Sequence, residues 1–505
     1  MMQEWPRIRR QLTRWLIGMI AVAAYFAAAG LGCSTGARCG DAVLATVNIV
    51  GLIGIMTVCS AAAYRMMNTN TMLLFTPLVA YAAGSALFFG FGPMSTFLAS
   101  EATQRFQAQS VYALTGDEVL RTNLLTATGI AVSLVAILAV LPRYAVWRTK
   151  RSVVSIKSVS LLFVMLGLAL KYLIIMPSIY GTSDFFVPGV LRNLRYLPDL
   201  GFALMAMIAA SGNKRWQVMF WLIWPWHFIL AFPEFSKKSV MLTMLLPAIG
   251  AYISHRSTAR LGVWVAAAML IFTMLQNINS VSRWAEIEAD RYLEVLDVGE
   301  RFSLLANSTF SDVDIESYLP VAKIGVETWW LRLNFSGAQA AAMELYDNGM
   351  SGTFTQNPLI YLVPRLLWPN KPVMASPGGE FHWLVAGNEN AKVGATVFAD
   401  GYWKMGWLGV FLFSGVMGGV MGLVARMTMA QLGRGRFLYL PAAMLGIQMG
   451  ATAPTQFLQN AFIAAMPIYF GFCFFAFITY SILTKVRTGR WSARNHAPLK
   501  QISEA

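Results

Sequence analysis

Apolar runs of roughly 20 residues recur along this chain between short polar interruptions, and a run of that length spans a bilayer as a helix. The pattern predicts spanning helices at 15–31, 42–64, 71–90, 124–141, 159–180, 198–211, 216–231, 239–254, 262–277, 405–425, 437–454 and 462–483. The expected fold is an all-α polytopic membrane protein of about 12 transmembrane helices. One polar interval, 278–404, is too long to be a simple connector. The chain divides accordingly into nine helices with short loops over 1–277, the long interval, three helices over 405–484 and a basic tail over 485–505.

Composition agrees with this pattern. Of 505 residues 57% are apolar and 12% charged, far from the quarter-charged balance of a soluble domain. The net charge of +15 raises nucleic acid as a partner only until the cations are placed. With both termini inside, the cytoplasmic segments hold 22 Lys and Arg and the short outer loops seven, while only Glu4 and Glu504 of the 24 acids lie inside. Such a bias is the signature of orientation in an anionic membrane, and no nucleic-acid partner is implied. The long interval then lies outside as a large helical loop. Arg7, Arg9 and Arg10 precede the first apolar run, but no small-x-small cleavage site follows, so an uncleaved first helix is expected. Cys33 and Cys39 flank the first outer loop, at a spacing that permits a disulfide or two thiols.

Several side chains then carry candidate chemistry. The second outer loop, 91–123, holds Glu101, Arg105, Asp117, Glu118 and Arg121 at helical spacing, which suits a solvated surface helix or a substrate contact. Lys171 falls mid-helix and needs a carboxylate, carbonyl or water beside it, for function or for structural pairing. Arg192 and Arg195 are three apart and project from one helical face; they suit a bidentate anion such as pyrophosphate or a pairing with Asp184 and Asp199. His227 reads as a satisfied structural histidine. Within the long interval, helices are expected over Ser280–Ser303, from Ser311, and over Asn334–Tyr346. Trp329, Trp330 and Arg332 suit a carbohydrate site or an interfacial belt. Three prolines stiffen the stretch Leu362–Pro372 and display Arg365, Trp368 and Lys371. Glu380 and His382 could each take a proton from a sugar hydroxyl. Gly415, Gly418, Gly419 and Gly422 form two overlapping Gly-x-x-x-Gly patterns for close helix packing.

The segment Pro364-Arg-Leu-Leu-Trp-Pro-Asn-Lys-Pro372, followed by Phe398-Ala-Asp-Gly-Tyr-Trp-Lys-Met-Gly-Trp-Leu-Gly409 and a glycine-rich helix, resembles the Wzy-type polymerases of O-antigen and exopolysaccharide repeat units. Relatives commonly show Glu-x-Tyr-x-Asn-Phe-Gly where this chain has Asp400, Tyr402 and Met405. The resemblance implies a C-type glycosyltransferase-like enzyme of the bacterial inner membrane that joins undecaprenyl-pyrophosphate-linked oligosaccharides at the periplasmic face. It implies no metal and no cofactor, with membrane lipid, a chain-length regulator and a flippase as partners. In that chemistry Glu380 or His382 supplies the base, Arg365 stabilises the departing pyrophosphate, and Arg192, Arg195, Arg332, Lys371, Trp368, Asp400 and Tyr402 bind substrate. An O-antigen ligase, which shares the donor, and a lipid-linked oligosaccharide flippase or transporter stand as alternatives.

Overall fold

The computed structural model describes residues 4–35, 39–142, 154–179, 187, 189–234, 236–288, 299, 301, 303, 327–353, 363, 368, 370, 377–388, 392–459, 462 and 465–495. The described residues are helical with no strand. In chain order the principal helices are α1 Glu4–Thr35, α2 Asp41–Thr69, α3 Pro77–Ser85, α4 Glu101–Ala108, α5 Gly116–Val140, α6 Ile156–Ala169, α7 Leu197–Ala210 and α8 Lys214–Ile229. They continue as α9 Lys237–His255, α10 Thr258–Glu288, α11 Ser336–Asp347, α12 Pro377–Ala386, α13 Thr396–Leu432, α14 Leu440–Thr452 and α15 Ala465–Asn495. Among the described residues seven segments are long and apolar enough to cross a membrane: Trp5–Cys33, Asp41–Thr69, Pro77–Leu98, Gly116–Val140, Ile156–Ser178, Thr396–Leu432 and Ala465–Thr484. The other predicted spans are helical too, but shorter or less apolar; α7 has 14 residues and α8 has 16.

Three boundaries differ from the sequence expectation, each for a local reason. The second loop ends at Thr115, because Thr115 and Glu118 form a reciprocal capping box that starts α5 there. Asp117, Glu118 and Arg121 therefore belong to the mouth of a spanning helix. Helix α10 runs on to Glu288, past the expected end at 277. Helix α13 begins at Thr396, and the expected start at 405 is instead a kink, with Met405 at φ −145° and Gly406 at φ 59°. Gly406 is the residue type that adopts this left-handed backbone without a Cβ clash.

Packing follows small residues. Helix α13 lies along α5, and a Cβ on Gly418 would fall 2.1 Å from the Ser133 carbonyl oxygen, while one on Gly422 would fall 3.2 Å from Ile137 Cα. Gly415 and Gly419 have nothing within 4 Å. Of the two overlapping patterns, only Gly418-x-x-x-Gly422 is a helix contact. Arg9 of α1 donates to the Leu138 and Leu141 carbonyls at 2.5 and 2.7 Å, which caps the C-terminal end of α5 with a cation. Cys33 and Cys39 are joined as a disulfide with Cα atoms 5.3 Å apart. Alternation of the helices puts the 99–115 loop, the 327–353 segment, α12 and the entry to α13 on one face, called the loop face below.

Candidate functional site

Two polar assemblies occupy the loop-face half of the molecule. The first is assembled by the second loop lying on α11. Glu327 accepts from the Ser100 amide at 3.0 Å and its hydroxyl at 2.7 Å, and also from the Thr103 hydroxyl. A carboxylate thereby caps the N-terminus of α4. The Thr103 and Ser100 side chains hold its carboxyl below the usual glutamate value. Phe91 stacks on Trp329 and Trp330 with ring centroids 5.7 and 5.0 Å away, and the Trp330 indole donates to the Phe91 carbonyl at 2.8 Å. Asn334 donates to the Thr96 hydroxyl at 3.0 Å. Gly337 has no Cβ because the Tyr112 carbonyl packs there, 2.3 Å from where one would stand.

Between loop and helix this leaves a cavity of about 340 Å³, within the roughly 300–1,000 Å³ of small-molecule sites. Its wall mixes Thr96, Gln104, Gln107, Ser110, Tyr112 and Asn334 with Phe106, Leu114, Leu331 and Phe335. Amides and hydroxyls beside aromatic faces match the alternating polar and apolar surface of a sugar. Gln104 is fixed by donating to the Ala99 carbonyl at 3.0 Å.

Tyr112 is the one titratable residue in that described wall. Its hydroxyl lies 2.8 Å from His382 Nδ1, and burial pushes its pKa up to about 12. The phenol therefore keeps its proton at neutral pH. His382 is 8% exposed and sits behind Tyr112 on α12. The adjacent Phe381 anchors that helix against Trp403 and Phe457 at 5.4 and 5.9 Å. Glu380, two residues earlier, lies on a different face of α12, half-buried, 3.4 Å from the Thr353 hydroxyl. The expected carboxylate and imidazole pair is thus divided, and His382 is the member that reaches the cavity wall.

The remaining expected site residues scatter. Asp400 is fully buried, 2.7 Å from Lys404 one helical turn on, and accepts from the Leu458 amide at 3.0 Å. It anchors the chain after α14. Tyr402 donates to Asp347 at 3.0 Å, and Asp347 also pairs with Arg121 at 2.7 Å. This chain of contacts pins α11 to α5 and α13. Arg332 is exposed beside the cavity-wall residues Leu331 and Asn334. Trp368 is 39% exposed. Arg365 and Lys371 lie outside the described residues. Arg195 hydrogen-bonds the Tyr196 hydroxyl and, with Lys238, flanks that ring at 4.7 and 5.5 Å. Arg192 is exposed. No described contact joins Arg192 or Arg195 to the cavity.

The second assembly is buried. Lys171 Nζ pairs with Glu234 at 2.6 Å, the two side chains 0% and 3% exposed. Beside it His227 Nε2 lies 2.9 Å from Asp199 Oδ1, and its Nδ1 lies 2.8 Å from the Tyr172 hydroxyl. Lys171 and Tyr172 sit in a π-helical turn, Leu170–Ile175, which turns both side chains inward. Arg301 of the long interval donates to the Pro233 carbonyl at 3.3 Å and ties the interval to the Phe232–Glu234 turn that carries Glu234. Asp199 pairs with His227, where a pairing with Arg192 or Arg195 stood as the alternative to anion binding. Asp184 lies outside the described residues.

Among the described residues no group of three His, Cys, Asp or Glu is placed to hold a metal. Compared with protein-family models, curated proteins and solved structures, the chain matches none. The functional reading therefore rests on the site itself. Sequence reasoning missed Tyr112, Asp347, Glu234 and Glu327. Lys404 was missed as well, and it alone of the five carried a readable signal, since an acid four residues ahead of a lysine marks a helical ion pair.

Proposed function

We propose that the chain is a glycosyltransferase that polymerises undecaprenyl-pyrophosphate-linked oligosaccharide units into O-antigen or exopolysaccharide at the periplasmic face of a bacterial inner membrane, about 12 helices holding the loop face outward. The observation that carries the reading is the Tyr112–His382 couple in the wall of a sugar-compatible cavity, 2.8 Å apart. The cavity is bounded by the segments leading to and from the stretch that resembles Wzy-type polymerases.

In this reading the acceptor sugar occupies the cavity with one hydroxyl on Tyr112. As that hydroxyl oxygen attacks the anomeric carbon of the donor, its proton passes to the Tyr112 oxygen and the phenolic proton passes to His382 Nδ1. The phenol is neutral before and after, and His382 ends as the imidazolium. The bond from the anomeric carbon to the lipid pyrophosphate breaks, and that anion leaves with the electron pair. Fixed cations stabilise such charge. Arg332 lies in sequence between the cavity-wall residues Leu331 and Asn334, and in this reading Arg365 and Lys371 of the sequence stretch Leu362–Pro372 add further cations.

Purified protein in detergent, given the host's own undecaprenyl-pyrophosphate oligosaccharide, is the test. Products several units long, formed by the native chain and lost in Tyr112→Phe, support the reading. Lipid-linked substrate crossing the bilayer of proteoliposomes without elongation overturns it in favour of a flippase.

A further inference from the structure

A second cavity lies on the opposite face, away from the chemistry, between α7, α8, α9 and α10. It measures about 290 Å³. Its existence is written in residue size: Ala206, Ala209 and Ala210 of α7 face Ala248 and Ala251 of α9, so methyl groups stand where larger side chains would close the helices. Pro247 lies inside α9 and belongs to the wall. Phe220, Trp221 and Trp264 supply a broad apolar flank, and Trp221 is 58% exposed to the surroundings of the bundle. The cavity therefore opens sideways as well as at its end.

The mouth has a different character. His255, Ser257 and Arg260 line it, and Gln217 spans it by donating to the Ala209 carbonyl at 3.0 Å. His255 and Arg260 are exposed. Next to them Arg256 takes the left-handed conformation, φ 53°, at the end of α9. No carboxylate lines the cavity, and its ionisable lining groups are the Arg260 guanidinium, the His255 imidazole and the neutral phenol of Tyr252. An apolar trough open to the side with cations at one end complements one chemistry well, an acyl chain attached to an anionic headgroup.

We propose that this cavity binds one bilayer phospholipid with an anionic headgroup, its acyl chain between Trp221 and Trp264 and its phosphate at Arg260 and His255. The site is independent of the glycosyl-transfer reading. Its occupant bridges α7 to α10, and the opposite ends of α7 and α8 hold the buried Asp199–His227 pair.

The test uses the full chain in detergent, delipidated and titrated with phosphatidylglycerol or phosphatidylcholine, read by native mass spectrometry and by the thermal midpoint. The expected result is one saturable phosphatidylglycerol per chain with a rise in midpoint, and no matching rise with phosphatidylcholine. Arg260→Ala weakens binding about fivefold, the worth of one cation near an anionic headgroup. Arg65→Ala, a cation of the same face that lines no part of the cavity, leaves binding unchanged. Ala210→Phe, which fills the cavity from a half-buried position, abolishes the retained lipid; Ala251→Leu repeats this from the facing helix if the first variant folds poorly. Equal binding of both lipids, or an Arg65→Ala loss equal to that of Arg260→Ala, overturns the proposal and assigns the effect to diffuse surface charge.

Discussion

The two polar assemblies of the loop-face half use the same residue types to opposite ends. Around Lys171 every charged group is buried and finds its partner inside the protein: Lys171 with Glu234, Asp199 with His227, His227 with Tyr172. Around Tyr112 the groups are linked just as closely, but one face of the chain of contacts opens on a cavity. A histidine with both ring nitrogens occupied by protein groups has nothing left to offer a substrate. A histidine behind a cavity-lining phenol does. Residue identity therefore ranks the two sites equally, and access to a volume of ligand size separates them.

Four measurements break or sharpen that contrast. The largest expected effect is on stability. Glu234→Leu strands the Lys171 ammonium at 0% exposure and costs about 3–5 kcal/mol, whereas adding Lys171→Met restores most of the loss, because a buried pair is worth little against apolar residues of similar size. Unfolding in detergent with the two variants side by side tests both halves. Next, Tyr112→Phe keeps the ring and removes the proposed proton path, so the proposed function predicts that polymer formation falls about a hundredfold with little change in stability. A fall in stability equal to that of Glu234→Leu would put Tyr112 in the structural class. The third is Gly406→Ala, which puts a Cβ on a residue at φ 59° and within 2.9 Å of the Tyr346 hydroxyl. The strain is about 1–2 kcal/mol, and the thermal midpoint of the variant measures it.

The smallest effect belongs to Glu327. Its folded pKa lies below the usual 4.5, so the stability it contributes is complete above the unfolded value and is lost as pH falls through the lower folded one. Hydrogen exchange at the start of α4 is expected to accelerate only at the acidic end of that window. In Glu327→Gln the same amides exchange without that acid step.

The sequence resolves the helices better than the site, for a physical reason. Membrane spans are local: twenty apolar residues declare themselves, and among the described residues the predicted spans fall largely on helical backbone, seven of them on segments long and apolar enough to cross a membrane. Lys171 likewise declares that it needs a partner, but not that the partner is Glu234, which comes from a separate turn. The glycine patterns of α13 are equally legible, yet their choice of face depends on Ser133 and Ile137 of another helix. Asp400 looks like a substrate acid in the sequence and proves to be paired and buried. The cavity is drawn from the 96–114 loop, the 331–338 segment and Val393. No single stretch carries its pattern, so Tyr112 has no local mark.

The most direct test of where the chemistry lies compares chain elongation by three purified proteins, in chelator, on one lipid-linked oligosaccharide: the native chain, His382→Ala, and the Lys171→Met/Glu234→Leu double variant. The account predicts that the native chain and the double variant build polymer, while His382→Ala, folded and monodisperse, loses about a hundredfold or more. Elongation that survives His382→Ala and disappears in the folded double variant would contradict it and move the site to the buried network.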